Sequence, residues 1–177
     1  MPAPVVPHPG SRPTSVLGRA GHTLLHWWPA RQVPPRPNRD AQLQALLAVL
    51  DDAVAAQRLA DQVVAACGEP GPVTDSVARD GAQQLSTFNH LAQRLRELTV
   101  DADLAQMRER AARLLAYHMW MIHESLRLAF SFQLDNSRVE AARLRVNGLG
   151  APADALRELR DDIRLLAAGA RGEEVAR

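Results

Sequence analysis

Histidine, cysteine, arginine and tryptophan are the residues of this chain whose chemistry could go beyond packing. His118 stands among Tyr117, Met119, Met121 and His123. An imidazole on the apolar stripe of a helix could ligate a haem or another metal. A metal site in a helical bundle needs several convergent ligands, commonly Glu-x-x-His pairs with further carboxylates. None of the eight glutamates has a histidine three residues later. The expectation is a hydrogen-bonded core or interface histidine, with no metal and no cofactor. Cys67 has no histidine near it in sequence and lies in Ala-rich surroundings, so it reads as a small packing residue. The sequence has no Gly-x-Gly-x-x-Gly, Walker loop, Gly-x-Ser-x-Gly or His-Glu-x-x-His. Catalytic residues are therefore expected to be none, and the chain is read as a non-enzyme.

Tryptophan and arginine suggest contacts instead. At 100° per residue, Trp120 lies nearly opposite Leu104 and Ile122, beside Arg113, Glu124 and Arg127. Either the last helix packs over it, or a protein partner does, since Trp and Arg are enriched in interfaces. Near the start, Leu17, Ala20, Leu24 and Trp27 recur at helical spacing, with Arg19, His22 and His26 among them and Trp28 beside Trp27. Such an island could dock on a partner or lie on an anionic membrane, with Leu17, Leu24, Trp27 and Trp28 buried and Arg19 at the headgroups. It could also fold back onto the bundle. Val33-Pro-Pro-Arg-Pro37 fits a polyproline ligand pattern, one that a proline-rich tail matches cheaply. Arg157, Arg160 and Arg164 share one side of the last helix, after a stretch with a loose likeness to a helix-turn-helix. As a nucleic-acid reader that helix would carry arginines to phosphates or guanines, the alternative being a DNA-binding regulator. Glu158, Asp161 and Asp162 oppose this, and a solvated face with intrahelical ion pairs is the default.

Composition bounds these readings. The chain has 177 residues, 46% of them hydrophobic but only 4% aromatic. Abundant Ala and Leu favour helix over strand. All 21 basic residues are arginine, a bias that a GC-rich genome explains more simply than arginine chemistry. A single cysteine permits no internal disulfide, which suits a reducing compartment. No apolar run reaches the roughly 18 residues a membrane span needs, and the start does not resemble a secretory signal. The location expected is cytoplasmic, peripheral at the inner face of the membrane if the tail binds lipid. The net charge of +1 hides a split: residues 1–39 hold five arginines and no acid, and residues 40–177 hold sixteen arginines against twenty acids.

The elements that must position these residues are helices. Nine of twelve prolines precede residue 38, so residues 1–39 read as a disordered or extended tail. Residues 40–168 read as an all-α, antiparallel bundle of three long helices and one or two shorter ones, and 169–177 as a frayed end. The first helix, 40–67, is capped by Asn38 or Asp40 and striped by Leu43, Leu46, Leu47, Leu50, Val54 and Val64. Gln57 and Asp61 interrupt that stripe, Leu59 and Val63 begin a second line, and Gly68 is placed as the C-terminal cap. The second helix, 75–99, is striped by Val77, Gly81, Leu85, Phe88, Leu91, Ala92, Leu95 and Leu98, while His90 and Glu97 face water. The third, 102–134, is striped by Leu104, Met107, Ala111, Leu114, Leu115, His118, Ile122, Leu126 and Ala129, and a short connection makes it antiparallel to the second. Residues 138–147 continue helically, and a last helix over 152–168 buries Leu156, Leu159, Ile163 and Leu166.

In overall character (short, Arg-rich, Lys-free, helical, without enzymatic motifs) the chain resembles small accessory proteins of actinomycete conjugative plasmids. That resemblance implies a part in transfer or spread of a plasmid between cells, at a membrane or with a translocase. It rests on no motif and carries over no residue's role. The expectation is an interaction protein that self-associates or binds a protein partner.

Overall fold

The computed structural model describes residues 38–131, 136–146 and 148–175, with backbone alone for 170–175. Residues 1–37 of the tail, with the Leu17–Trp28 island, lie outside the described residues, and Arg39 already belongs to the first helix. The described residues form five helices: α1 (Arg39–Gly68), α2 (Asp75–Glu97), α3 (Ala102–Ala129), α4 (Ser137–Arg143) and α5 (Ala151–Val175). Among the described residues there is no strand. No described helix is long and apolar enough to cross a membrane.

The architecture is an all-α antiparallel bundle. Gln42 meets Asp101 and Gln57 meets His118, so α1 and α3 run in the same direction. Phe88 stacks on His118 and Gly81 abuts Leu126, which sets α2 antiparallel to α3. Asp61 meets Leu149 and Asp51 meets Arg164, which sets α5 antiparallel to α1. Helices α1 and α3 each pack on the other three long helices, whereas α2 and α5 flank them on opposite sides. The core is Leu-rich and continuous, from Leu43, Leu46 and Leu50 through Phe88, Leu95, Leu115 and Ile122 to Leu156 and Ile163.

Local rules and tertiary ties share the work of ending the helices. Asn38 caps α1, its side-chain oxygen accepting from Ala41 N–H at 2.8 Å. Gly68 is not the expected left-handed cap. It is still helical, and Glu69 leaves in extended geometry. Glycine is needed there because a β-carbon would collide with the carbonyl oxygen of Val146. The capping falls to Arg143, whose side chain is only 5% exposed. Its Nη1 donates to the carbonyls of Cys67 (2.9 Å) and Glu69 (2.6 Å), and its Nη2 to that of Gly71 (3.3 Å). Nε and Nη2 also bond Glu140, at 2.7 and 2.6 Å. All five guanidinium N–H groups are thereby used. A cation at a helix C-terminus also suits the helix dipole. Bonding to Arg143 holds the Glu140 carboxyl below its ordinary range, and Glu140 in turn raises Arg143.

This tie explains two departures from expectation. Helix α3 stops at Ala129, not 134, and Asn136 caps a separate α4 by accepting from Arg138 N–H. A continuous helix would carry Arg143 about 20 Å beyond the end of α3, away from the α1 carbonyls. Helix α4 ends at Arg143, not 147, because the chain turns there to lay Val146 against Gly68. Helix α5 runs from Ala151 to Val175, beyond the expected end at 168. Ala, Arg and Glu there are good helix formers, and Gly169 is not among the glycines at positive φ. Within α5, Leu166 is 37% exposed and Ala167 is buried in its stead, since 153, 156, 163 and 167 share a narrower arc.

Candidate functional site

Two places gather residues with chemistry: a polar centre inside the bundle and an aromatic face outside it. The centre is built on α1 at Gln57, the residue that breaks the expected apolar stripe. Gln57 and His118 are both buried. Gln57 Nε2 lies 3.0 Å from Ala153 O and 3.2 Å from His118 Nε2. Only the amide nitrogen can face a carbonyl oxygen, so the orientation of Gln57 is determined. His118 Nδ1 lies 2.7 Å from Leu114 O, which likewise requires a proton on Nδ1. His118 Nε2 is then the acceptor of the Gln57 N–H. Phe88 covers the imidazole, with ring centroids 5.2 Å apart. Arg157 Nη1 reaches Gln57 Oε1 at 3.4 Å and pairs with Asp154. Burial lowers the proton affinity of His118; the bond to Leu114 opposes this and the charge of Arg157 adds to it.

Outside, a cleft of about 410 Å³ opens between α1 and the first turn of α5, with Gln57, Arg58, Asp61 and Arg157 on its walls. Its loop is anchored by Leu149 N–H, which donates to Asp61 Oδ1 at 2.8 Å. Gly148 sits at φ +116°, and a β-carbon there would come 2.6 Å from the same oxygen. Positive φ and close approach together require glycine.

The second place is the outward face of α3. Trp120 is 54% exposed and leans on Tyr117, with ring centroids 5.5 Å apart. The last helix does not cover it: α5 packs on the inner flank of α3 and on α1. Arg113 and Arg127 are exposed on the same face. Arg127 pairs with Glu124 at 2.8 Å, and Glu124 is held below its ordinary range by that bond first, and by His123. A smaller apolar exposure lies where Leu59, 46% exposed, edges a groove of about 350 Å³ between α1 and α2.

The expected sites thus separate. His118 is a hydrogen-bonded core histidine, and no grouping of His, Cys, Asp and Glu suited to a metal occurs among the described residues. Cys67 is buried, and burial pushes its thiol up. Arg157, Arg160 and Arg164 do share one side of α5, but it is the side that meets α1. Arg157 pairs with Asp154, Arg160 with Asp161, and Arg164 with Asp51 at 2.6 Å. A nucleic acid would have to draw them from these carboxylates. Leu17, Arg19, Leu24, Trp27 and Trp28 lie outside the described residues. Sequence reasoning missed the roles of Gln57, Arg143 and Asp61. A glutamine and an aspartate on an apolar stripe were a visible signal; nothing marked Arg143 among twenty-one arginines. The chain matches no protein-family model, no curated protein and no solved structure.

Proposed function

We propose that this chain is a helical interaction protein, acting by binding and not by catalysis. Its rigid body presents Tyr117 and Trp120 to a protein partner, and its arginine-rich tail adds a second contact. The supporting observation is the 54% exposure of Trp120 on a helix whose core face is already filled by α1, α2 and α5. The fold makes little use of that indole, and a half-wet Trp beside Arg113 and Arg127 has the composition of an interface centre. The fitting partner surface is an apolar pocket rimmed by carboxylates. The tail, through Leu17, Arg19, Leu24, Trp27 and Trp28, would meet an anionic membrane or the same complex. In the setting that the plasmid-protein resemblance implies, this is an accessory factor in transfer or spread.

The test is a photo-cross-linking side chain in place of Tyr117, with the same group at exposed Arg79 of α2 as reference, in the source cell. A defined cross-linked protein at position 117 only, lost with Trp120→Ala, supports the reading. A second copy of the chain at that position would make the partner itself. Equal labelling from both positions, or binding indifferent to Trp120→Ala, would remove the α3 face from the proposal.

A further inference from the structure

The buried centre has a property that packing does not require: its hydrogen bonds are consistent with one protonation state of His118 only. Gln57 is the hub. Its amide nitrogen serves both Ala153 O of α5 and His118 Nε2 of α3, and its carbonyl oxygen accepts from Arg157 of α5. A second ring proton would sit on Nε2 and point at the Gln57 N–H, donor against donor. If the amide turns to offer its oxygen to the imidazolium, that oxygen also confronts Ala153 O, acceptor against acceptor. The amide nitrogen then confronts Arg157, donor against donor. No orientation of Gln57 satisfies imidazolium and α5 together.

The other groups around the ring give the proton little help. From α5, Arg157 repels it, and Asp154 is engaged with Arg157. From α1, Gln57 is the contact. From α2, the face of Phe88 offers only a weak attraction to a cation. From α3 itself, Leu114 O already holds the Nδ1 proton. No carboxylate bonds His118 among the described residues.

We propose that His118 is an acid-sensitive latch on α5: a second ring proton breaks the Gln57-mediated tie between α3 and the first turn of α5 and loosens that helix from α1 and α3. Helix α5 is the element to move because both Gln57 ties to it fail together when the amide turns to meet the imidazolium, and α2 does not brace it. Loosening uncovers Leu156, Leu159 and Ile163 together with the α1 and α3 surfaces they cover. Acid would thus convert a closed bundle into one with an apolar groove.

Backbone hydrogen exchange of the full chain tests this at about pH 7.5 and about pH 5, either side of the ordinary imidazole value of about 6.5. After correction for intrinsic rates, peptides of α5 should lose roughly tenfold or more protection at the lower pH while those of α2 stay protected. In parallel, the Cε1–H resonance of His118 should titrate with a midpoint below about 6.5. Gln57→Glu gives the imidazolium and Arg157 a carboxylate and leaves Ala153 O without its donor at either pH, so it should abolish the pH dependence of α5 protection. Equal loss in α5 and α2, a His118 midpoint at the ordinary value, or a Gln57→Glu protein that keeps the acid response would each overturn the proposal. The wild-type measurements decide the matter if that variant does not fold.

Discussion

Helices α2 and α5 flank the same central pair, yet they are held by different physics. Helix α2 is held by apolar contact. Phe88, Leu91 and Leu95 are buried, and Gly81 lets α2 approach so closely that a β-carbon would strike Leu126. Its polar ties, Arg94 to Asp52 and Arg108 to Leu98 O, lie at the edges. Helix α5 buries its own apolar line, but directional polar contacts settle where it begins and how it lies. These are Leu149 N–H on Asp61, Ala153 O on Gln57, and Arg164 on Asp51. Apolar burial is indifferent to pH and tolerant of small shifts, whereas a donor–acceptor pair depends on geometry and protonation. One flank is therefore an invariant part of the body, and the other responds to conditions.

Truncation in the α2 flank should have the largest effect and no pH dependence of its own. Leu95→Ala removes a fully buried side chain and should cost about 2–5 kcal/mol. The loss, measured by urea unfolding, should be the same at neutral and mildly acidic pH. A loss that grew with acid would erase the contrast between the flanks.

Next is Arg143→Met, which keeps the apolar stem and removes the guanidinium. Three carbonyls at the end of α1 lose their donors, and the chain leading to α5 loses its anchor. The expected loss is about 2–3 kcal/mol, from charged hydrogen bonds at a partly buried site. Hydrogen exchange should place it in α4 and α5 before α2. A uniform loss would show that Arg143 supports the whole bundle and not this flank.

Acidification should come third. The folded-state proton affinity of His118 is lowered, chiefly by burial. As pH falls below about 6.5, the unfolded chain takes up this proton before the folded one does. Stability is whole above that value and declines below it, until the buried ring itself protonates. One proton limits the slope to about 1.4 kcal/mol per pH unit. His118→Gln should flatten this contribution in urea unfolding; an unchanged slope would assign it to other groups.

The smallest effect is expected from Asp51→Asn, which releases Arg164 from a half-exposed pair. It should cost under about 1 kcal/mol, and less in high salt. A larger, salt-insensitive loss would mean that Asp51 belongs with Asp61 and Gln57 as a register-setting contact.

What the sequence determined by itself was the periodic part of the molecule. The stripes of α1, α2 and α3, a cap at Asn38 or Asp40, the break at Gly68–Pro72 and the inward placing of His118 all follow from spacing and local propensity, which neighbouring residues decide among themselves. The aromatic half of the candidate site was legible too: wheel geometry put Trp120 on the outside, though not what would cover it. Only the tertiary structure decided that Gln57 is the hub of a buried network, that Gly68 is required by Val146, and that Arg143 caps a helix 76 residues before it in the chain. The same holds for the pairing of Arg164 of α5 with Asp51 of α1. These are pairings between residues distant in sequence, whose partners become neighbours only when the apolar stripes have closed the bundle. A single polar residue on a stripe announces that it needs a partner; the packed chain decides which.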